Sequence, residues 1–155
     1  MTVDFVLKRA PAYRVAAIRW NGPWSDAAIH RQFDRVVAWT RAHHLRTGRW
    51  IFREPDEQTF EVAIEIRGSA RSEAPVRVKT YRAGSVASVV YDPAVVASPV
   101  VYHGLSDWLR HRRRDGTITA VGDYREIYRG DPWRDRAAFA RTEVQFLVKR
   151  PKSGP

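Results

Sequence analysis

Apolar residues occupy every second position in two stretches of this chain, Phe60–Arg67 and Thr142–Lys149. Val62, Ile64 and Ile66 share one face of the first; Val144, Phe146 and Val148 share one face of the second. A period of two predicts β-strands with one buried side. The opposite faces each begin with a carboxylate, Glu61 and Glu143. Such a match suggests a duplicated unit, two copies of one module with a ligand site between them.

The rest of the chain divides in the same way. Val3–Arg9 and Tyr13–Trp20 alternate as strands and are predicted to form a hairpin across Ala10-Pro11-Ala12, since Pro cannot donate to a ladder. After Asn21-Gly22-Pro23, Ser25 or Asp26 can cap a helix whose apolar stripe is Ile29, Phe33, Val36 and Val37, ending about His43. A short strand Arg49–Arg53, a turn at Glu54–Glu57 and Phe60–Arg67 complete a β-β-α-β-β copy over residues 3–67. Residues 68–75 read as a linker.

The second copy, residues 76–149, repeats the order. Val76–Arg82 and Val86–Tyr91 are its first strands. Ser98 as cap and Pro99 at the first position start a helix with Val101, Leu105, Trp108 and Leu109 buried, closed by Gly116. Asp123–Arg129 and Thr142–Lys149 are its last strands, with an insertion at Trp133–Arg141. Residues 151–155 read as a disordered basic tail. The expected fold is α+β, one domain over residues 1–150: a pseudo-twofold antiparallel sheet with two helices on one face and the ligand cleft between the copies.

Alternation also sorts candidate site residues. If Ile51 and Ile127 face their helices, then Trp50, Phe52, Tyr124 and Tyr128 share a side with Glu61 and Glu143, and the small Ala17 and Ser88 leave room between them. Aromatic walls around carboxylates suit a hydrophobic cation or a planar aromatic ligand, through stacking and cation–π contact. A carboxylate enclosed there is costly without a partner, and a raised pKa would equip it for general acid–base work.

Composition narrows the alternatives. With no Cys there is no disulfide, thiol nucleophile or Cys-based zinc site. The five His show no helical i, i+3 or i+4 pairing, so no metal is expected. No phosphate-cradling glycine loop or nucleophile elbow occurs, and no cofactor is implied. The first 20 residues do not read as a signal peptide and no run is long enough to span a bilayer, so a cytoplasmic protein without a membrane partner is expected. The formal net charge is +10. Its densest cluster, Arg110 and Arg112–Arg114, reads as a solvated helix end complementing the dipole. The aromatics lie on other elements, so nucleic acid is not the expected partner.

Three pieces carry a resemblance: Tyr13-Arg14-Val15-Ala16 leading to Asn21-Gly22-Pro23-Trp24-Ser25, Arg125-Glu126-Ile127-Tyr128-Arg129-Gly130-Asp131-Pro132, and Thr142-Glu143-Val144-Gln145. In this order the chain resembles the GyrI-like domain, the effector-binding domain of multidrug-responsive bacterial regulators. It departs in having Asp92-Pro93-Ala94 at the second turn, Ala17 where a Tyr is common and Leu147 where a Pro is usual. The resemblance implies a small-molecule fold with its ligand between the copies, and a charge-pairing role for the residue matching Glu143. Family members also include a gyrase inhibitor and enzymes that hydrolyse cyclopropane-bearing toxins. The reading adopted is a stand-alone binding protein, since no helix-turn-helix precedes the first strand. The alternatives are a hydrolase using Glu143 or Glu61, and a basic module contacting a protein or nucleic acid, such as a gyrase modulator.

Overall fold

The structure, a computed structural model, describes residues 3–152. Its elements in chain order are β1 (Val6–Ala10), β2 (Tyr13–Asn21), α1 (Asp26–Ala42), β3 (Arg46–Asp56), β4 (Thr59–Arg67), β5 (Arg77–Tyr81), β6 (Gly84–Tyr91), α2 (Ser98–Arg114), β7 (Ala120–Tyr128), α3 (Arg136–Phe139) and β8 (Thr142–Lys149). All eight strands form one antiparallel sheet in the order β1-β6-β8-β7-β3-β4-β2-β5. Each half thus has its third strand at the centre, β3 beside β7. The first strand of each half lies against the second strand of the other. This is the expected duplicated, pseudo-twofold α+β fold.

The predicted β1–β2 hairpin does not form. Alternation reveals that both segments are strands but carries no information about pairing partners, and β1 pairs with β6 while β2 pairs with β4 and β5. This exchange dictates the shape of the sheet. β1 and β2 stand six places apart, which in a flat sheet would be about 29 Å at the usual strand spacing. Yet only Pro11 and Ala12 join them, a link that spans about 11 Å at full stretch. Arg82 and Ala83 set the same requirement between β5 and β6. The sheet must therefore curl until its edges approach, and its helix-free face becomes an enclosed inner face.

Register shows which residues occupy each face. Residues directly opposite one another in an antiparallel pair point the same way. Ile18, Val62, Phe52, Glu126, Val144 and Val89 form one such row. This is the outer, helix-bearing face. Ile29, Phe33 and Val36 of α1 pack there against Val62, Ile64 and Ile66. Val101, Leu105 and Leu109 of α2 pack against Val89, Val144 and Val148. The neighbouring row, Ala17, Ala63, Ile51, Ile127 and Glu143, points inward. There Tyr13, Val15, Ala17, Ile51, Ala63, Tyr81 and Ile127 make a small core of their own, buried by the curl.

The helix ends follow local chemistry. Ser25 accepts a hydrogen bond from the Ala28 backbone N–H at 3.0 Å and caps α1. In α2 the cap is Ala97, not Ser98; the Ser98 hydroxyl instead meets the Tyr91 hydroxyl at 2.8 Å. Gly116 follows α2 with φ +81°, the left-handed conformation that ends a helix. The segment that interrupts the repeat before β8 contains the short α3, capped by Asp135. Among the described residues no helix is long and apolar enough to cross a membrane. Residues 153–155 of the predicted tail lie outside the described residues.

Candidate functional site

The two central strands carry large side chains outward where α1 and α2 diverge. Phe52 and Glu54 project from β3; Tyr124, Glu126 and Tyr128 project from β7. The helices cover the flanks of the sheet and leave its middle open. A cavity of about 350 Å³ results, walled by Asp26, Ile29 and Phe33 of α1 and by Tyr102 of α2. Trp24, just before α1, and Trp133, in the segment leading to α3, close its sides.

Glu126 is the polar centre of this cavity. It accepts hydrogen bonds from the Tyr102 hydroxyl and the Tyr128 hydroxyl, each at 2.5 Å. The Tyr124 hydroxyl donates to Glu54. Burial, reinforced by the nearby Glu126 charge, pushes the pKa values of Tyr102 and Tyr128 upward. Burial and the bond to Glu54 do the same for Tyr124. These phenols therefore stay neutral and donate to the two carboxyl groups. Asp26 brings a third carboxylate, and among the described residues no Lys or Arg lines the cavity, although the chain as a whole carries +10.

The aromatic walls hold one another in place. Tyr102 meets Tyr124 edge to face at 5.6 Å, and Tyr124 lies 5.6 Å from Phe146. Phe33 stacks on Trp50 at 4.8 Å. Trp133 stacks on His30 at 4.6 Å and meets Phe33 at 5.8 Å. Its backbone N–H, like that of Arg134, donates to Asp131, and Arg134 reaches Asp34 of α1 at 3.3 Å. The insertion thus fastens Trp133 across the mouth. Trp24 and Trp133 remain 57% and 40% exposed, unusual for indoles.

Solved structures share this fold. The crystal structure of the EcmrR C-terminal domain matches with a TM-score of 0.75 at 17% identity, covering 97% of this chain and 100% of that one. EcmrR in its DNA complex matches at 0.76 and 16% identity, over 96% of this chain and 58% of that one. A hydrolase from Listeria innocua matches at 0.59 and 10% identity, over 94% and 91%. No protein-family model matches the sequence, and no curated protein matches it.

The structure separates the residues singled out from the sequence. Phe52, Tyr124 and Tyr128 line the outer cavity. Trp50 shares their face but is core, stacked under Phe33. Glu61, Glu143, Ala17 and Ser88 lie on the inner face, so the expected meeting of aromatics and these two carboxylates does not occur. The error lies in the phase assigned to β3 and β7. Ile51 and Ile127 do not face the helices; they pack on each other's row inside the curl, and that turns Trp50, Phe52, Tyr124 and Tyr128 outward.

On the inner face Glu61 is 1% exposed and paired with Arg19 at 3.3 Å, Arg53 at 3.4 Å and Lys79. Glu143 accepts from Ser88 at 2.7 Å and Gln145 at 2.6 Å and pairs with Lys8 at 2.8 Å. Both are internally neutralised. The residues that sequence reasoning missed are Glu126, Glu54, Asp26, Tyr102, Trp24 and Trp133. For Glu126 a signal existed, since alternation puts it beside Tyr124 and Tyr128 whichever way the strand faces.

Proposed function

We propose that this chain is a GyrI-like effector-binding domain that binds a hydrophobic, cationic, planar aromatic molecule in the outer cavity. The observation that carries this reading is the charge of the lining: among the described residues, three carboxylates, seven aromatic rings and no cationic side chain. A ligand cation would take its charge partner from Glu126 and its contact area from Phe52, Tyr128, Trp24 and Trp133. Cation–π attraction adds about 0.5–2 kcal/mol per favourable ring. The fold shared with the EcmrR C-terminal domain supports an effector-sensing role, and Glu126 replaces Glu143 as the proposed charge partner.

The test is a tryptophan-quenching titration with the planar cation ethidium and the neutral hydrocarbon phenanthrene. Ethidium is expected to bind the more tightly. Glu126→Gln should weaken it by about 1.5–3 kcal/mol, the value of a hydrogen bond or contact to a charged group. Phenanthrene affinity should hardly change. Equal affinity of the wild type and Glu126→Gln for ethidium sinks the reading.

A second reading is hydrolysis in the same cavity. Two Glu–Tyr pairs, Glu126 with Tyr102 and Glu54 with Tyr124, are an acid–base arrangement that simple binding does not require. The fold of the Listeria innocua hydrolase is compatible with it. Turnover of a strained cyclopropane substrate, lost in Glu126→Gln and Glu54→Gln alike, would support this reading; purely stoichiometric binding would count against it.

A further inference from the structure

The inner face carries a second constellation that the outer cavity does not use. Arg53 and Arg125 stand opposite each other in register across β3 and β7. Arg125 is 6% exposed and donates through Nε to Gln145 at 2.9 Å, while its Nη2 has no hydrogen-bond partner. The Tyr81 hydroxyl, also on a residue 6% exposed, is unpartnered too, although it stands beside Arg53 and Glu61. Buried donors without acceptors are uncommon, and one on a guanidinium carries a substantial cost.

The local carboxylates do not relieve Arg125. Glu61 is held by Arg19, Arg53 and Lys79, and Glu143 by Lys8, Ser88 and Gln145. Asp123, at the rim, pairs with Arg53 at 3.6 Å. Among the described residues, Arg125 has no carboxylate within salt-bridge distance. It lines, with Arg53, Tyr81 and Arg82, a cavity of about 200 Å³. Arg82, Asp123 and Leu147 also line an adjoining open apolar groove of about 530 Å³, together with Val121, Gly122 and Val148.

We propose that this inner-face cavity binds an amphiphilic carboxylate. Its head accepts N–H from Arg125 and the hydroxyl of Tyr81, with Arg82 guarding the rim. Its apolar body lies in the groove along Leu147 and Gly122. The site opens on the other side of the sheet from the outer cavity, with Tyr124 common to both linings, and does not depend on the function proposed for that cavity. Its ligand has the opposite charge.

The test is calorimetric titration of the full chain with octanoate, acetate and inorganic phosphate, each against chloride at equal ionic strength. The matched salt removes the general attraction of a +10 protein for anions. Octanoate is expected to bind best and acetate weakly. Arg125→Gln and Arg82→Gln should each weaken octanoate about tenfold, as loss of a charge-assisted contact does. Gly122→Val should weaken octanoate but spare acetate. A β-carbon at Gly122 would meet Leu147 at an ordinary 3.5 Å, and a β-branched residue suits a strand. Should Arg125→Gln not fold, Arg82→Gln and Gly122→Val decide the matter. The proposal is overturned if octanoate binds no better than chloride, if phosphate matches octanoate, if these variants bind octanoate as the wild type does, or if Glu126→Gln abolishes octanoate binding.

Discussion

Tyr102, on α2, donates its hydroxyl to Glu126, on β7, at 2.5 Å. This bond joins the helix of the second half to the middle of the sheet. It also holds a carboxylate in an aromatic cavity without neutralising it. A phenol satisfies a carboxylate's lone pairs but leaves its charge, so the site stays attractive to a cation while remaining affordable in the empty protein.

Tyr102→Phe therefore should lower stability by about 1–3 kcal/mol, because Glu126 loses a donor in a partly dry setting. Urea denaturation at neutral pH measures this. The variant should still bind ethidium, since the charge of Glu126 persists. Loss of binding equal to that of Glu126→Gln would mean that the phenol, not the carboxylate, is the contact that matters.

The cavity phenols also set an alkaline limit. Burial first, then the adjoining carboxylates, raise Tyr102, Tyr124 and Tyr128 above their ordinary value of about 10. The folded state then binds more protons than the unfolded state above that pH. Stability is full below about pH 10 and falls as pH rises further. Absorbance at 295 nm should show these tyrosines ionising together with unfolding. Ionisation of every tyrosine near pH 10 in a protein that stays folded would contradict the geometry of the site.

An acid limit comes from the inner face. Burial alone would raise the Glu143 pKa, but Lys8, Gln145 and Ser88 together outweigh it and hold the carboxyl below its usual range. A depressed carboxyl adds stability that is present above its unfolded value of about 4.3 and lost as pH falls through the folded one. Glu143→Gln should flatten the decline in urea midpoint between about pH 5 and 3. An unchanged acid limb in that variant would remove Glu143 as its source.

How far the sequence reveals this molecule depends on the kind of regularity involved. Val62, Ile64 and Ile66 alternate against charged or small neighbours, and α1 repeats at helical spacing, so one buried face each is legible. Partner choice is not, because β1 would satisfy β2 or β6 equally by pattern; the swap lies in a long-range register that only the folded sheet defines. The phase of β3 and β7 fails for a different reason. The usual rule places aliphatic Ile51 and Ile127 beneath the helices. Here a curled sheet supplies a second buried face, and the aromatic residues with polar tips go outward to build a cavity. Trp133 was hidden because an insertion carries no period at all.

Glu61 shows what that second face demands. Its carboxylate is buried on the inner wall amid Arg19, Arg53 and Lys79, whose side chains are 49%, 22% and 31% exposed. Removing the anion leaves three cations converging on one point. The cost should be about 2–3 kcal/mol, less than the roughly 3–5 kcal/mol of a wholly buried pair, because the cations can turn toward water. Glu61→Gln in urea denaturation measures it, and raised salt should recover part of the loss by screening the leftover repulsion. Ethidium affinity in the outer cavity should stay at the wild-type level, since the sheet lies between the two. A Glu61→Gln protein of unaltered stability but impaired ethidium binding would reverse the roles assigned to the two faces.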